Sequence, residues 1–120
     1  MKKRTFLILA VAVALLTASC NMTGLERTAP KTAEEYQARG LEYLENGDYD
    51  SAIANYTHAI RLNPNDAIAF LWRGDAYLDK GDYNSAIADY ETALQLLDPE
   101  DIFVKMTEYD LERARQAKGG

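Results

Sequence analysis

The chain has 120 residues, with 19 acidic against 13 basic side chains and a formal net charge of −6. That length suits one small domain, and the acidic balance argues against nucleic acid and against electrostatic attachment to anionic lipid. Cys20 is the only cysteine, which excludes an internal disulfide.

Residues 1–20 read MKKRTFLILAVAVALLTASC. Lys2, Lys3 and Arg4 make a positive start, Phe6 to Leu16 is an unbroken apolar run, and Thr17, Ala18 and Ser19 are small. This is the pattern of a secretory signal peptide over residues 1–19, and the apolar run is short for a mature membrane anchor. The ending Leu-Thr-Ala-Ser-Cys resembles the bacterial lipobox, with Thr17 where leucine is usual. The resemblance implies that Cys20 is acylated and becomes the mature N-terminus, rather than being a chance cysteine of an ordinary signal peptide. Lipidation would also remove a lone thiol from an oxidising compartment. Several acyl chains on one residue hold a protein to a membrane where one chain binds only marginally. Asn21 follows the cysteine where, in enteric bacteria, an aspartate would signal inner-membrane retention; in a Gram-negative organism this favours the outer membrane, facing the periplasm. Loss of Lys2, Lys3 and Arg4 with the leader takes the net charge from −6 to −9. Residues 20–31 form a lipidated N-terminus and polar tether.

From Ala33 the chain is written twice. Residues 33–66 and 67–99 align with a shift of 34 positions. Arg39-Gly40 matches Arg73-Gly74, Gly47-Asp48-Tyr49 matches Gly81-Asp82-Tyr83, and Ser51-Ala52-Ile53-Ala54 matches Ser85-Ala86-Ile87-Ala88. A fixed period of this kind marks a stacked repeat. Within each copy two helical stripes are separated by a break. Tyr36, Gly40, Tyr43 and Leu44 recur at steps of three and four, then Asn46-Gly47-Asp48 interrupts. Tyr49, Ala52, Ile53, Tyr56, Ala59 and Ile60 resume the spacing until Asn63-Pro64. Gly47 suits a left-handed helix end. Asp48 and Asp82 are placed to cap the second helices. Gly40, Ala52 and Ala59 allow close backbone approach beside the large tyrosines.

The series Tyr36, Gly40, Tyr43, Ala52, Tyr56, Ala59, Pro64, with Phe70, Gly74, Tyr77, Ala86, Tyr90 and Ala93 in the second copy, resembles the tetratricopeptide repeat. The resemblance covers roughly residues 33–99 and implies an all-α fold of helix–turn–helix units. Two departures stand out. Arg39 and Arg73 replace a usual leucine, so their stems pack while their heads reach solvent or a carboxylate. One extra residue precedes Pro99. Residues 100–118 carry no repeat pattern and read as a capping helix. Its apolar residues Ile102, Phe103, Met106 and Tyr109 are expected to cover the open face of Ala86, Tyr90 and Ala93. At the other end the first helix, Thr32 to Asn46, has no polar cap before it, and its outer Glu35, Ala38 and Glu42 stand in solvent.

No reaction chemistry is legible, and no cofactor is implied. His58, the only histidine, reads as a surface residue. No second histidine or cysteine completes a zinc site, and the repeat glycines form no phosphate loop. What the family resemblance implies instead is a groove lined by the first helices that binds partner proteins or peptides. The matching positions are Gln37, Leu41 and Glu45, then Ile68, Leu71, Trp72, Asp75 and Asp79, with Glu34 at the rim. Leu44 and Leu78 belong either to this strip or to the core between repeats. Phe70, Leu71 and Trp72 are three large apolar residues in a row, so at least one is expected on the surface or under a partner. The carboxylate clamp of one family variant is missing, since Gln37, Leu41 and Trp72 occupy its positions. The expected function is a non-enzymatic, membrane-anchored adaptor of the bacterial envelope. The alternative is a self-associating structural lipoprotein.

Overall fold

The computed structural model describes residues 28–120; the leader and Cys20 lie outside the described residues, as does the tether up to residue 27. Five helices follow in order: α1 (Ala33–Glu45), α2 (Tyr49–Leu62), α3 (Ala67–Lys80), α4 (Tyr83–Leu96) and α5 (Phe103–Gly119). Among the described residues there is no strand, and no helix is long and apolar enough to cross a membrane.

Short polar side chains set most of the helix starts. Asp48 accepts from the Ser51 amide at 3.1 Å and Asp82 from the Ser85 amide at 3.2 Å, as the sequence predicts. Asp66 does the same for α3 by accepting from Ile68 and Ala69. The N-terminus of α1 is better closed than the sequence suggests. Thr32 Oγ1 accepts from the Glu35 amide, and the Glu35 carboxylate accepts from the Thr32 and Lys31 amides, a reciprocal capping box. Those two amides hold the Glu35 carboxyl below the usual carboxylate range. α1 and α3 both give way to a glycine with positive φ, Gly47 at 74° and Gly81 at 89°, where a side chain would be strained.

Each helix pair closes by fitting a tyrosine ring over a glycine. A Cβ on Gly40 would lie 2.9 Å from the Tyr56 ring, and one on Gly74 would lie 2.8 Å from the Tyr90 ring. No side chain fits beneath either ring. Two core layers result. Ala52, Tyr56 and Ala76 form the first, flanked by Tyr43, Leu44, Ile53 and Trp72. Ala86, Tyr90, Leu111 and Ala114 form the second, flanked by Tyr77, Leu78, Ile87 and Leu94. α3 therefore packs on α2 as α5 packs on α4. The two arginines divide between the expected environments. Arg39 is exposed, with its guanidinium over the Tyr43 ring. Arg73 reaches a carboxylate, donating from Nε and Nη2 to both oxygens of Asp89, at 2.8 and 2.7 Å.

The last helix departs from expectation in two ways. It begins at Phe103, after a turn in which Asp101 accepts from the Phe103 amide at 2.9 Å. It also buries a different face. Ile102, Met106 and Tyr109 are exposed, at 85%, 41% and 67% of their surface. Thr107, Leu111 and Ala114 are buried, and Phe103 is half-buried. The Thr107 hydroxyl donates to the Phe103 carbonyl at 2.8 Å, so its polar group is satisfied and the side chain packs as a small apolar one.

Candidate functional site

α1, α3 and α5 are successive neighbours, so their inner sides form one continuous face. On it the structure exposes Glu34, Leu41, Glu45 and Asp79, and half-buries Gln37, Ile68, Trp72 and Asp75. One expectation is corrected: Leu71 is fully buried and serves the core. Its neighbours Phe70 and Trp72 are half-buried and face two different surroundings: the Arg73 guanidinium lies over the Phe70 ring, and Trp72 packs on the first core layer. Leu44 and Leu78 both pack against core layers. Gln37 is engaged within the fold, its Nε2 donating to Asp66 Oδ2 at 2.6 Å and tying α1 to the start of α3.

The half-buried carboxylate at the middle of this face is Asp75. The Tyr90 hydroxyl donates to its Oδ1 at 2.6 Å. Burial pushes the Asp75 carboxyl up to about 6; the Tyr90 hydrogen bond pulls against this, Asp110 and Asp79 add to it, and Arg113 opposes it. Arg113 itself is tied to Asp110 at 3.0 Å. The counterpart of Tyr90 in the first repeat is Tyr56, which is 1% exposed and whose hydroxyl is buried without a hydrogen-bond partner. Burial, then Asp75 and Glu45, push this phenol up to about 12. Tyr90 finds its acceptor fifteen residues back; the same step from Tyr56 arrives at Leu41, which has none to offer. Tyr56, Tyr90, Asp110 and Arg113 were not singled out for this face in the sequence. The one local signal was the mismatch between Leu41 and Asp75 at equivalent repeat positions.

A raised carboxyl has a consequence for stability. The folded state holds the Asp75 proton more tightly than the unfolded chain does. Its contribution is therefore complete below the unfolded value near 3.8 and is lost as pH rises through about 6. Replacing Asp75 with Asn fixes the neutral form. The variant should gain stability relative to the wild type between pH 4 and pH 7, by on the order of 2 kcal/mol. Urea melts of both proteins at the two pH values test this; a stability difference independent of pH would refute it.

His58 is exposed and stacks on Tyr36, with ring centroids 4.9 Å apart. Among the described residues no three of His, Cys, Asp and Glu are grouped to hold a metal ion. Two open depressions lie away from the α1–α3–α5 face. One, of about 630 Å³, runs past Pro30, Glu35, Ala38 and Arg39; the other, of about 620 Å³, lies at Pro99, Asp101, Ile102 and Lys105.

A sequence model of the tetratricopeptide repeat matches residues 38–101. Among solved structures, the TPR domain of Arabidopsis OM64 is similar, with a TM-score of 0.61 and 29% sequence identity over 71% of this chain and 67% of that one. No curated protein sequence matches the chain significantly.

Proposed function

The chain belongs to the tetratricopeptide repeat family, and from that premise we propose that it is a lipid-anchored adaptor of a bacterial cell envelope, docking partner proteins or peptides on the α1–α3–α5 face. Proteins of this family are protein–protein interaction modules, generally without enzymatic activity. The observation that carries the reading is the composition of the face. Leu41 is 38% exposed and Trp72 half-buried, and the acids Glu34, Glu45 and Asp79 on the same helices are exposed. Such a surface takes a basic or amphipathic polypeptide, in which apolar anchors supply affinity while the acids raise the association rate and set the salt dependence. The anchor is supported by the leader, the small residues before Cys20 and the solitary cysteine. Asn21 supports residence at an outer membrane, facing the periplasm.

Two measurements test the proposal. Cys20→Ser should leave the protein unprocessed or release it from the membrane fraction; processing and partitioning like the wild type would exclude the lipid anchor. Binding to the envelope partner should weaken as salt rises, and Leu41→Ala or Trp72→Ala should cost about 1–3 kcal/mol of affinity. Affinity indifferent to salt and to both changes would remove this face from the function. Leu41 is the cleaner probe, because Trp72 also supports the first core layer. A second reading, a self-associating structural lipoprotein, is favoured by the exposed Ile102 at the start of α5 and Met106 and Tyr109 along it. A stable dimer in light scattering at low micromolar concentration would support it.

A further inference from the structure

The two ends of the bundle differ in what they expose. Successive helices reverse direction, so α1, α3 and α5 begin at the end where α2 and α4 finish. Gln37 near the start of α1 bonds to Asp66 at the start of α3; at the other end Lys80, closing α3, meets Asp50, opening α2. Among the described residues six large apolar side chains are exposed, and three stand at the first end. Leu62 closes α2 with 55% of its surface in solvent, Leu96 closes α4 with 36%, and Ile102, at 85%, immediately precedes α5. The opposite end, with Gly47-Asp48, Gly81-Asp82 and Lys118, exposes none of the six. Helix register puts Leu62, Leu96 and Ile102 at one level without requiring that they touch, and a flat apolar medium needs no more than a common level. Residues 21–31 join Cys20 to the Thr32 cap at this same end, and eleven residues reach at most about 40 Å when fully extended. The 14-residue helices α2 and α4 are each about 21 Å long. An anchor on Cys20 therefore holds the apolar end nearest the bilayer.

We propose that this end of the domain rests on the lipid surface, with Leu62, Leu96 and Ile102 entering its interfacial region. The helices then stand away from the membrane, and the α1–α3–α5 face opens sideways to a partner. This rests on the reading of Cys20 as a lipid anchor and adds the orientation in which the anchored domain is held. The contact is apolar in kind. Lys31, Arg61 and Lys105 at this end are matched by Asp98, Glu100 and Asp101, so it needs no anionic lipid and is not released by salt. Three such side chains would hold a free protein to a bilayer weakly. The anchor makes their insertion an intramolecular step, in which a weak second contact is enough.

The test uses the acylated protein, purified from the membrane fraction and reconstituted in phosphatidylcholine vesicles in which a fraction of the lipids carries a nitroxide on an acyl chain. Acylation occupies the Cys20 thiol, so Asn65→Cys, in the exposed turn after α2, and Lys118→Cys, exposed at the far end, each provide one site for a fluorophore. The label at 65 should be quenched severalfold more than the label at 118, at low and high salt alike. Changing Leu62→Ser and Ile102→Ser together, both at exposed sites, should bring quenching at 65 down to the level at 118 while the protein still floats with the vesicles. Equal, weak quenching at both labels in protein that floats, whether the end stays in water or pairs with a second copy, overturns the orientation and leaves the anchor standing. A difference that survives the double change assigns the nearness to the tether alone and overturns the insertion. Protein that fails to float with the vesicles overturns the anchor, and the orientation with it.

Discussion

Removing α5 by truncation after Pro99 should abolish the cooperative melt of the second repeat or drive the chain to dimerise. Stacked repeats bury their apolar faces only against neighbours, and about three units are the usual minimum. Here two repeats are followed by a single helix, and that helix supplies Leu111 and Ala114 to the layer built on Ala86 and Tyr90. Tyr90 is fully buried, so truncation would bring its ring and the Ala86 and Ala93 surface into water. Burial of a side chain the size of leucine or tyrosine is worth roughly 1.5–3 kcal/mol, against a net stability of about 5–15 kcal/mol for a whole domain. Point changes separate the burial term from simple loss of chain. Leu111→Ala should cost about 2–5 kcal/mol, whereas Ile102→Ala, at a site 85% exposed, should stay within about 0.5 kcal/mol. Circular dichroism melts decide the matter. An unchanged melting temperature on truncation, or a larger loss at Ile102 than at Leu111, would make α5 an appendage instead of a cap.

The contrast between Ile102 and Leu111 also shows why some of the architecture was readable and some was not. The repeat period, the close approach at Gly40 and the aspartate caps are local or strictly periodic, so the capping roles of Asp48 and Asp82 and the small-residue crossing at Gly40 could be read from the residues alone, while the particular tyrosine over each glycine came from the fold. The last helix carries two apolar stripes at helical spacing. Size favoured Ile102, Met106 and Tyr109; packing chose Thr107, Leu111 and Ala114, of which Leu111 and Ala114 meet Ala86 and Tyr90 and Thr107 satisfies its hydroxyl on the Phe103 carbonyl. The candidate face was legible in outline, since the repeat alignment named its positions. Its detail depends on side chains arriving from other helices. Leu71 turned inward because α3 is covered on two sides, and the environment of Asp75 is set by Tyr90, Asp110 and Arg113, which stand 15, 35 and 38 positions later. No window along the chain contains that information.

Arg73 illustrates the same limit and carries the second large effect. The sequence left its head a choice between solvent and a carboxylate. In the fold its guanidinium takes both oxygens of Asp89 and, through Nη1, reaches the Thr57 hydroxyl at 3.2 Å, so one side chain joins α2, α3 and α4. The pair is largely buried, with side-chain exposures of 17% and 7%. The bond to Asp89 raises the already high pKa of the guanidinium, against the opposing pull of burial, so Arg73 stays charged throughout the accessible pH range. The first repeat has no such tie, because Asn55 stands where Asp89 would be and Arg39 remains outside. Asp89→Ala should therefore cost about 3–5 kcal/mol, since it strands a buried cation instead of merely deleting an attraction. The paired change Arg73→Met with Asp89→Leu should recover most of that loss, because neither charge then requires compensation. Equilibrium urea unfolding of the two single variants and the double variant measures the coupling directly. If Asp89→Ala alone were nearly neutral, or if the double variant were as unstable as the sum of the singles, the fork would be a passive surface contact and the junction between the repeats would rest on the apolar layers alone.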